Sequence, residues 1–271
     1  MLDNPIKKDV LRIVKTSPTK LTPRALEKII SERYQLEPKQ IKLLIRDLVS
    51  DREITYSYKF GSTFLEQSFD KPVRVSKHVV LKPPACRYHS KPRDIVVQIK
   101  SGAAFGDGHH PTTRLAIQGI EYVCLNRKKL ADDPSSSVLD IGTGSGILVV
   151  TAVCFGISKG FGIDIDPCAR VEAYENVIAN GLEDRIVISK QSFENLDQKF
   201  SMVTANLRFP TLSSMMNQLV ETTAPHGFLI LSGIKDSEMQ SLLELYTEKN
   251  FRRLWSANEL GWAGVVLQRC G

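Results

Sequence analysis

The chain has 271 residues, 42% of them apolar and 24% charged, the ordinary balance of a globular protein with room for one or two domains. No apolar run approaches the ~20 residues of a membrane span, and residues 1–14 lack the apolar core and cleavage site of a secretory leader, so membrane and secreted classes are set aside. The net charge of +6 is uneven: residues 1–80 hold 16 Lys/Arg against 10 Asp/Glu and residues 81–271 hold 20 of each, which suggests two domains with different partners.

Residues 4–15 set Ile6, Val10, Leu11 and Val14 on one helical face. Thr22-Pro23 offers an N-cap and a proline at the first helical position, and the helix behind it turns Leu26, Ile29 and Ile30 inward. Pro38 opens a third helix carrying Ile41, Leu44, Ile45 and Leu48. Residues 54–58, a Gly61-Ser62 turn and residues 63–69 alternate as a hairpin does. Three helices and a hairpin are the order of a winged-helix domain, so residues 1–70 are expected to form a small, basic, α+β winged-helix-like domain. Lys39, Lys42 and Arg46 share a face of the third helix at i, i+3 and i+7, and Lys59 lies near the hairpin tip, while Asp47, Asp51 and Glu53 dilute the patch. Nucleic-acid contact through residues 1–70 and protein docking both stay open.

Residues 71–104 read as a linker and β segment, with alternating apolar residues over 73–81, a Lys82-Pro-Pro-Ala boundary and a strand-like run at 95–99. Next comes a loop dense in glycine and histidine, Phe105-Gly-Asp107-Gly-His109-His110, and Pro111 then starts a helix. Adjacent histidines without a further spaced ligand make a poor zinc site, so no metal is expected. The five cysteines (Cys86, Cys124, Cys154, Cys168, Cys270) form no CxxC pair, which suggests reduced thiols and a cytoplasmic setting, with Cys154 buried.

Residues 137–166 are the centre of the chain. Residues 138–141 are a short apolar strand, Gly142-Thr-Gly144-Ser-Gly146 follows at once, residues 147–155 make an apolar helix, and a second strand ends on Asp164. Glycines let a ligand approach the backbone, and an acid at the tip of the next strand can accept from both hydroxyls of a ribose. The third glycine comes one residue too early for the dinucleotide spacing GxGxxG, which favours S-adenosylmethionine over a nicotinamide cofactor. Further strands are expected at 186–189, 200–205 and 228–231, with helices ending near Asn180-Gly181 and covering 211–223 and 237–250. Paired strands at 251–256 and 261–269 close the chain. Residues 105–271 thus read as a doubly wound α/β domain. Ser192 and Glu194 follow the third strand and lie where an adenine edge would sit.

The runs AFGDGHHPTTR, VLDIGTGSGILV, GIDIDPC, TANLR and LILSGIK, in that order, resemble the PrmA-type methyltransferases, which modify a ribosomal protein and whose relatives methylate protein lysines. The resemblance covers about residues 70–271 and implies a seven-stranded class I methyltransferase (Rossmann-like) domain that uses S-adenosylmethionine. It implies cofactor contacts at Thr113, Gly142, Asp164 and Asn206; Asp140, Gly144, Ile165 and Ser192 complete the expected cofactor-binding set. The family loop usually reads FGTGTHPTT, so Asp107 and His109 stand here in place of threonines, and residues 1–70 do not resemble the small α/β domain with which the bacterial enzyme grips its target.

Methyl transfer is an in-line displacement that depends on positioning and on a neutral acceptor amine. Asn206, His110 and Asp107 are the catalytic candidates, with His109 beside them. Asn206-Leu-Arg-Phe stands where the enzymes of planar amides carry Asn-Pro-Pro-Tyr, which favours a lysine or α-amine acceptor on a protein. An RNA or DNA methyltransferase holding nucleic acid with residues 1–70, and a non-catalytic S-adenosylmethionine-binding DNA regulator, are the alternatives.

Overall fold

The computed structural model describes residues 5–59, 61–100, 102–127, 130, 132–193, 196 and 198–271. The chain divides into two compact units, Met1–Lys71 and Pro72–Gly271.

In the first unit, α1 (Pro5–Thr16), α2 (Pro23–Tyr34) and α3 (Pro38–Ser50) precede an antiparallel hairpin of β1 (Ile54–Lys59) and β2 (Ser62–Gln67). The 3.6-residue spacing of apolar positions puts Leu26 and Ile30 of α2, and Ile41, Ile45 and Leu48 of α3, into one core with Val10, Ile54 and Leu65. Thr22 caps α2 by accepting from Ala25 N–H (3.2 Å), and the helix ends where Gln35 turns left-handed (φ 52°). Ile29 is half-buried rather than interior. The side chain of Lys59 lies outside the described residues.

The second unit begins with a small sheet in the order β3 (Val73–Arg74), β4 (Val79–Lys82), β5 (Ile95–Gln98). The stretch 71–104, expected to be a linker and β segment, contributes these three strands and lies in this unit from Pro72 on. Its lateral anchors are long-range and polar: Gln98 N–H donates to Asn180 Oδ1 (2.8 Å) and Lys100 N–H to Asn176 Oδ1 (2.9 Å). Such partners, about eighty positions away, leave no mark on local periodicity.

After α4 (Pro111–Asn126) the chain alternates β6 (Ser137–Ile141), α5 (Ile147–Cys154), β7 (Lys159–Ile163), α6 (Pro167–Ala179), β8 (Ile186–Ser189) and β9 (Phe200–Asn206). Two short helices, α7 (Phe209–Ser214) and α8 (Met216–Thr222), replace the single helix expected at 211–223. Then come β10 (Thr223–Lys235), α9 (Met239–Thr247), β11 (Phe251–Glu259) and β12 (Trp262–Arg269). Among the described residues these strands form a seven-stranded sheet, β11-β12-β10-β9-β6-β7-β8, parallel from β10 to β8, with β12 antiparallel to β10 and β11. β6 is buried along its whole length, as a central parallel strand is. It lies between β7 and β9, where the strand order reverses, and ligands of open α/β sheets bind outside the carboxyl ends at such a point. No described helix is long and apolar enough to cross a membrane. The five cysteines are free thiols; Cys154 is half-buried, and burial pushes its thiol up to about 11.

Candidate functional site

The turn after β6 is built from glycines with positive φ, 65° at Gly142 and 55° at Gly144. Their second use is close packing of loops. A Cβ on Gly144 would stand 2.3 Å from the carbonyl oxygen of Phe105, and one on Gly142 would stand 2.9 Å from Leu207 Cδ2. The loop before α4 is consequently seated on the turn: Ser145 N–H donates to Phe105 O (2.9 Å) and Ser145 Oγ to Gly106 O (2.8 Å). Glu172 of α6 receives Ala103 N–H (2.7 Å) and Ala104 N–H (3.0 Å), and Arg114 donates to the carbonyls of Gly108 (3.0 Å) and His109 (2.6 Å).

Asp164, just past β7, accepts Gly144 N–H (2.9 Å) and Asp166 N–H (2.9 Å), one on each oxygen. These bonds fix the carboxylate plane across the mouth of the turn and leave each oxygen a lone pair for a further donor. Asp140 behaves differently. It is 1% exposed, accepts Thr143 Oγ1–H and Thr204 Oγ1–H (2.7 Å each), and burial pushes its carboxyl up to about 6 against the pull of those hydroxyls. It is not among the residues lining the cavity, and its two hydroxyl partners tie the glycine turn to β9.

The cavity over the strand tips measures about 710 Å³, within the usual range for small-molecule sites. Gly142, Gly144, Asp164, Ile165, Ser192, His110 and Asn206 line it; Asp107 and Thr113 do not. Its wall near α4 is aromatic. The rings of Phe105 and His110 are 5.3 Å apart, His110 meets Trp262 edge-on at 4.9 Å, and the Arg208 guanidinium lies 5.4 Å from the centre of the Trp262 ring. Phe105, Phe193, Arg208, Met215 and Trp262 are lining residues that the motifs had not singled out as contacts. Trp262 arrives from the antiparallel end of the sheet, beyond any local signal. Glu194 lies outside the described residues.

At the start of α4 the N-cap is His110, whose Nδ1 accepts Thr112 N–H (3.3 Å). Nδ1 also lies 2.8 Å from Thr112 Oγ1, so the ring is held at the start of α4 by two contacts while it lines the cavity. Asp107, the other acid–base candidate, turns to His109, with its Oδ2 2.7 Å from Nδ1. Among the described residues, no three His, Cys, Asp or Glu side chains converge as metal ligands do.

Among the described residues, two buried oxygens in this region have no hydrogen-bond partner, Thr113 Oγ1 and Asn206 Oδ1. A buried polar atom without a partner is costly, and near a cavity it marks where a polar ligand completes the set. The residues therefore fit S-adenosylmethionine: a glycine turn, a fixed carboxylate beside it, and unfilled hydrogen-bonding positions on the opposite side.

The family described as ribosomal protein L11 methyltransferase (PrmA) matches residues 65–270. The ribosomal protein L11 methyltransferase of Geotalea daltonii is 33% identical over 204 residues, 74% of this chain and 65% of that protein. Its namesake in Citrifermentans bemidjiense is 39% identical over 164 residues, 60% and 53% of the two chains. This chain thus spans less than two thirds of the length of these curated relatives. The crystal structure of ribosomal protein L11 methylase from Lactobacillus delbrueckii subsp. bulgaricus superposes with a TM-score of 0.65 and 28% identity, covering 74% of this chain and all of that one.

Proposed function

The chain belongs to the PrmA family, and from that premise we propose that it is an S-adenosylmethionine-dependent methyltransferase that N-methylates an amine, a lysine or an α-amine, on a ribosomal protein. The observation that carries the choice of acceptor is Asn206 Oδ1, a carbonyl oxygen at the tip of β9, buried beside the cavity without a donor. It suits an N–H group and would repel an oxyanion.

When bound, S-adenosylmethionine supplies a sulfonium methyl open to in-line attack. Asp164 is placed to accept from the ribose hydroxyls, and Gly142 and Gly144 leave the backbone bare for close approach. Asp140 keeps that turn in register with β9; Thr113, a contact implied by the family resemblance, is buried behind the lining residue Thr112 and would reach the amino-acid end only if that wall adjusts. Ile165 and Ser192 line the adenine side. On the acceptor side, Asn206 accepts one amine hydrogen and so aims the lone pair. Partial removal of the amine from water beside Trp262 would disfavour its ammonium form, with His110 lining the same cavity and Asp107 on the loop that carries it.

Residues 1–70 are read as a winged-helix-like module that selects the target. The deciding experiment is tritium transfer from S-adenosylmethionine to purified ribosomal protein L11 and, separately, to ribosomal RNA. Protease-sensitive, nuclease-resistant label is expected on the protein; label confined to RNA, or none on either, overturns the reading.

A further inference from the structure

We propose that the N-terminal unit docks on RNA through the solvent face of α3. The sequence leaves the point open because Asp47, Asp51 and Glu53 stand among the cations. In the structure those acids face other cations: Lys7 Nζ is shared between Asp47 (3.3 Å) and Asp51 (3.5 Å), both half-exposed, and Lys71 pairs with Glu53. Elsewhere in the unit Asp9 is held by Arg12, Arg33 and Tyr34, and Glu66 by Lys20. Lys39, Lys42 and Arg46 are exposed on one stripe and make no hydrogen bond or ion pair among the described residues. Leu43, on the same face, is 49% exposed. Glu37, ahead of the helix, is the nearest acid in sequence without an ion pair. A helix face that keeps three cations bare, with Glu37 the one nearby acid that faces no cation among the described residues, is complementary to a polyanion.

Two exposed aromatic rings narrow the polyanion. Tyr56 and Tyr58 stand two apart on β1, 52% and 76% exposed, where phenol rings can stack on unpaired bases. A regular DNA duplex keeps its base faces inside the stack, and an acidic polypeptide has no bases to offer. RNA with unpaired bases satisfies both the cations and the rings. The preference for RNA over single-stranded DNA rests on the reading of a ribosomal protein as acceptor, whose surroundings are RNA.

The test uses the full chain and a fluorescein-labelled RNA hairpin with an unpaired loop, followed by anisotropy over a salt series. Duplex DNA and polyglutamate serve as competitors. Wild type is expected to bind with a clear salt slope. The triple variant K39Q/K42Q/R46Q, whose exposed positions leave the core untouched, is expected to bind at least tenfold more weakly, with a slope reduced by about 2 to 3. Circular dichroism checks its fold, and its calorimetric affinity for S-adenosylmethionine should match wild type. No binding of wild type at low salt, equal binding by the variant, or competition by duplex DNA or polyglutamate as strong as by RNA overturns the proposal. Tritium transfer to free ribosomal protein L11 is scored separately, so RNA binding that persists without transfer upholds the docking face and sinks only the acceptor reading.

Discussion

The two units use their charged and polar side chains in opposite ways. In residues 5–71 the acids are taken up at the surface, tying one element to another, as Asp9 ties α1 to Arg33 and Tyr34 of α2. The core beneath is mainly apolar, Val10, Leu26, Ile30, Ile45 and Leu48 among its members, with Glu53 and Ser68 as buried polar residues of this unit. Surface pairs are each worth about 0–1 kcal/mol, so this unit stands mainly on its apolar core. In residues 72–271 the polar groups are inside: Asp140, Asn176, Thr204 and Ser232 are all at most 1% exposed and all hydrogen-bonded. Asn176 alone holds Lys100 N–H and donates to Ser145 O (2.9 Å each), joining the small sheet to the glycine turn. Interior polar groups with full partner sets fix where loops lie. Among the described residues Asn206 Oδ1, beside the cavity, is one of the few buried oxygens of this unit without a partner.

The contrast is broken most sharply at Asp164. In Asp164→Ala the amides of Gly144 and Asp166 lose their acceptor and a ribose loses a charged partner. S-adenosylmethionine affinity by calorimetry is expected to fall at least about a hundredfold. RNA binding by the other unit should be untouched. Unchanged cofactor affinity would place the site elsewhere.

At Asp140 the expected effect is on stability rather than on cofactor affinity. Because burial holds its carboxyl near 6 rather than 3.8, the native chain keeps this proton where the unfolded chain has released it. Raising the pH from about 4 to above 6 therefore removes up to about 3 kcal/mol of stability through this group, and below about pH 4 none is lost. Asp140→Asn cannot titrate, yet it can still accept from one threonine hydroxyl and donate to the other. The melting temperature of wild type minus that of the variant should fall between about pH 4.5 and pH 7. Trp255 and Trp262, the chain's two tryptophans, lie in this unit, so indole fluorescence reads it alone. A pH-independent difference would show that the carboxyl does not titrate from within the sheet.

What could be read in advance follows the same division. The glycine turn, β6, β7 and the acid at 164 were legible because local periodicity and spacing encode them. The three N-terminal helices were legible because Thr22-Pro23 and Pro38 mark their starts and the apolar spacing marks their inner faces. The roles of Asp140 and His110 were not, since each depends on a hydrogen bond whose partner is known only from the fold: Thr204 Oγ1 across the sheet for one, Thr112 N–H at a helix start for the other. Trp262 was missed for a related reason. It enters the cavity because β12 runs antiparallel beside β10, and no local pattern states which strands will be neighbours. The engagement of Asp47 and Asp51 by Lys7, some forty positions away, was equally invisible, and that engagement is what uncovers the cations of α3.

The smallest change sharpens the comparison most. Thr22 sits in extended backbone (φ −73°, ψ 156°) and caps α2 through Ala25 N–H, far from any polar interior network. Thr22→Ala removes that acceptor at a cost of about 1 kcal/mol. In a domain of roughly 70 residues such a loss lowers the melting temperature by about 4–8 °C. Far-ultraviolet circular dichroism sees both units, whereas indole fluorescence sees only residues 72–271. The expected result is a dichroism transition that moves down while the fluorescence transition stays in place, because an apolar core and a polar network built from separate residues lose their order separately. A single transition shifting equally under both probes would mean that the chain unfolds as one cooperative body, and the contrast between the units would then describe how each is built without describing how each is held.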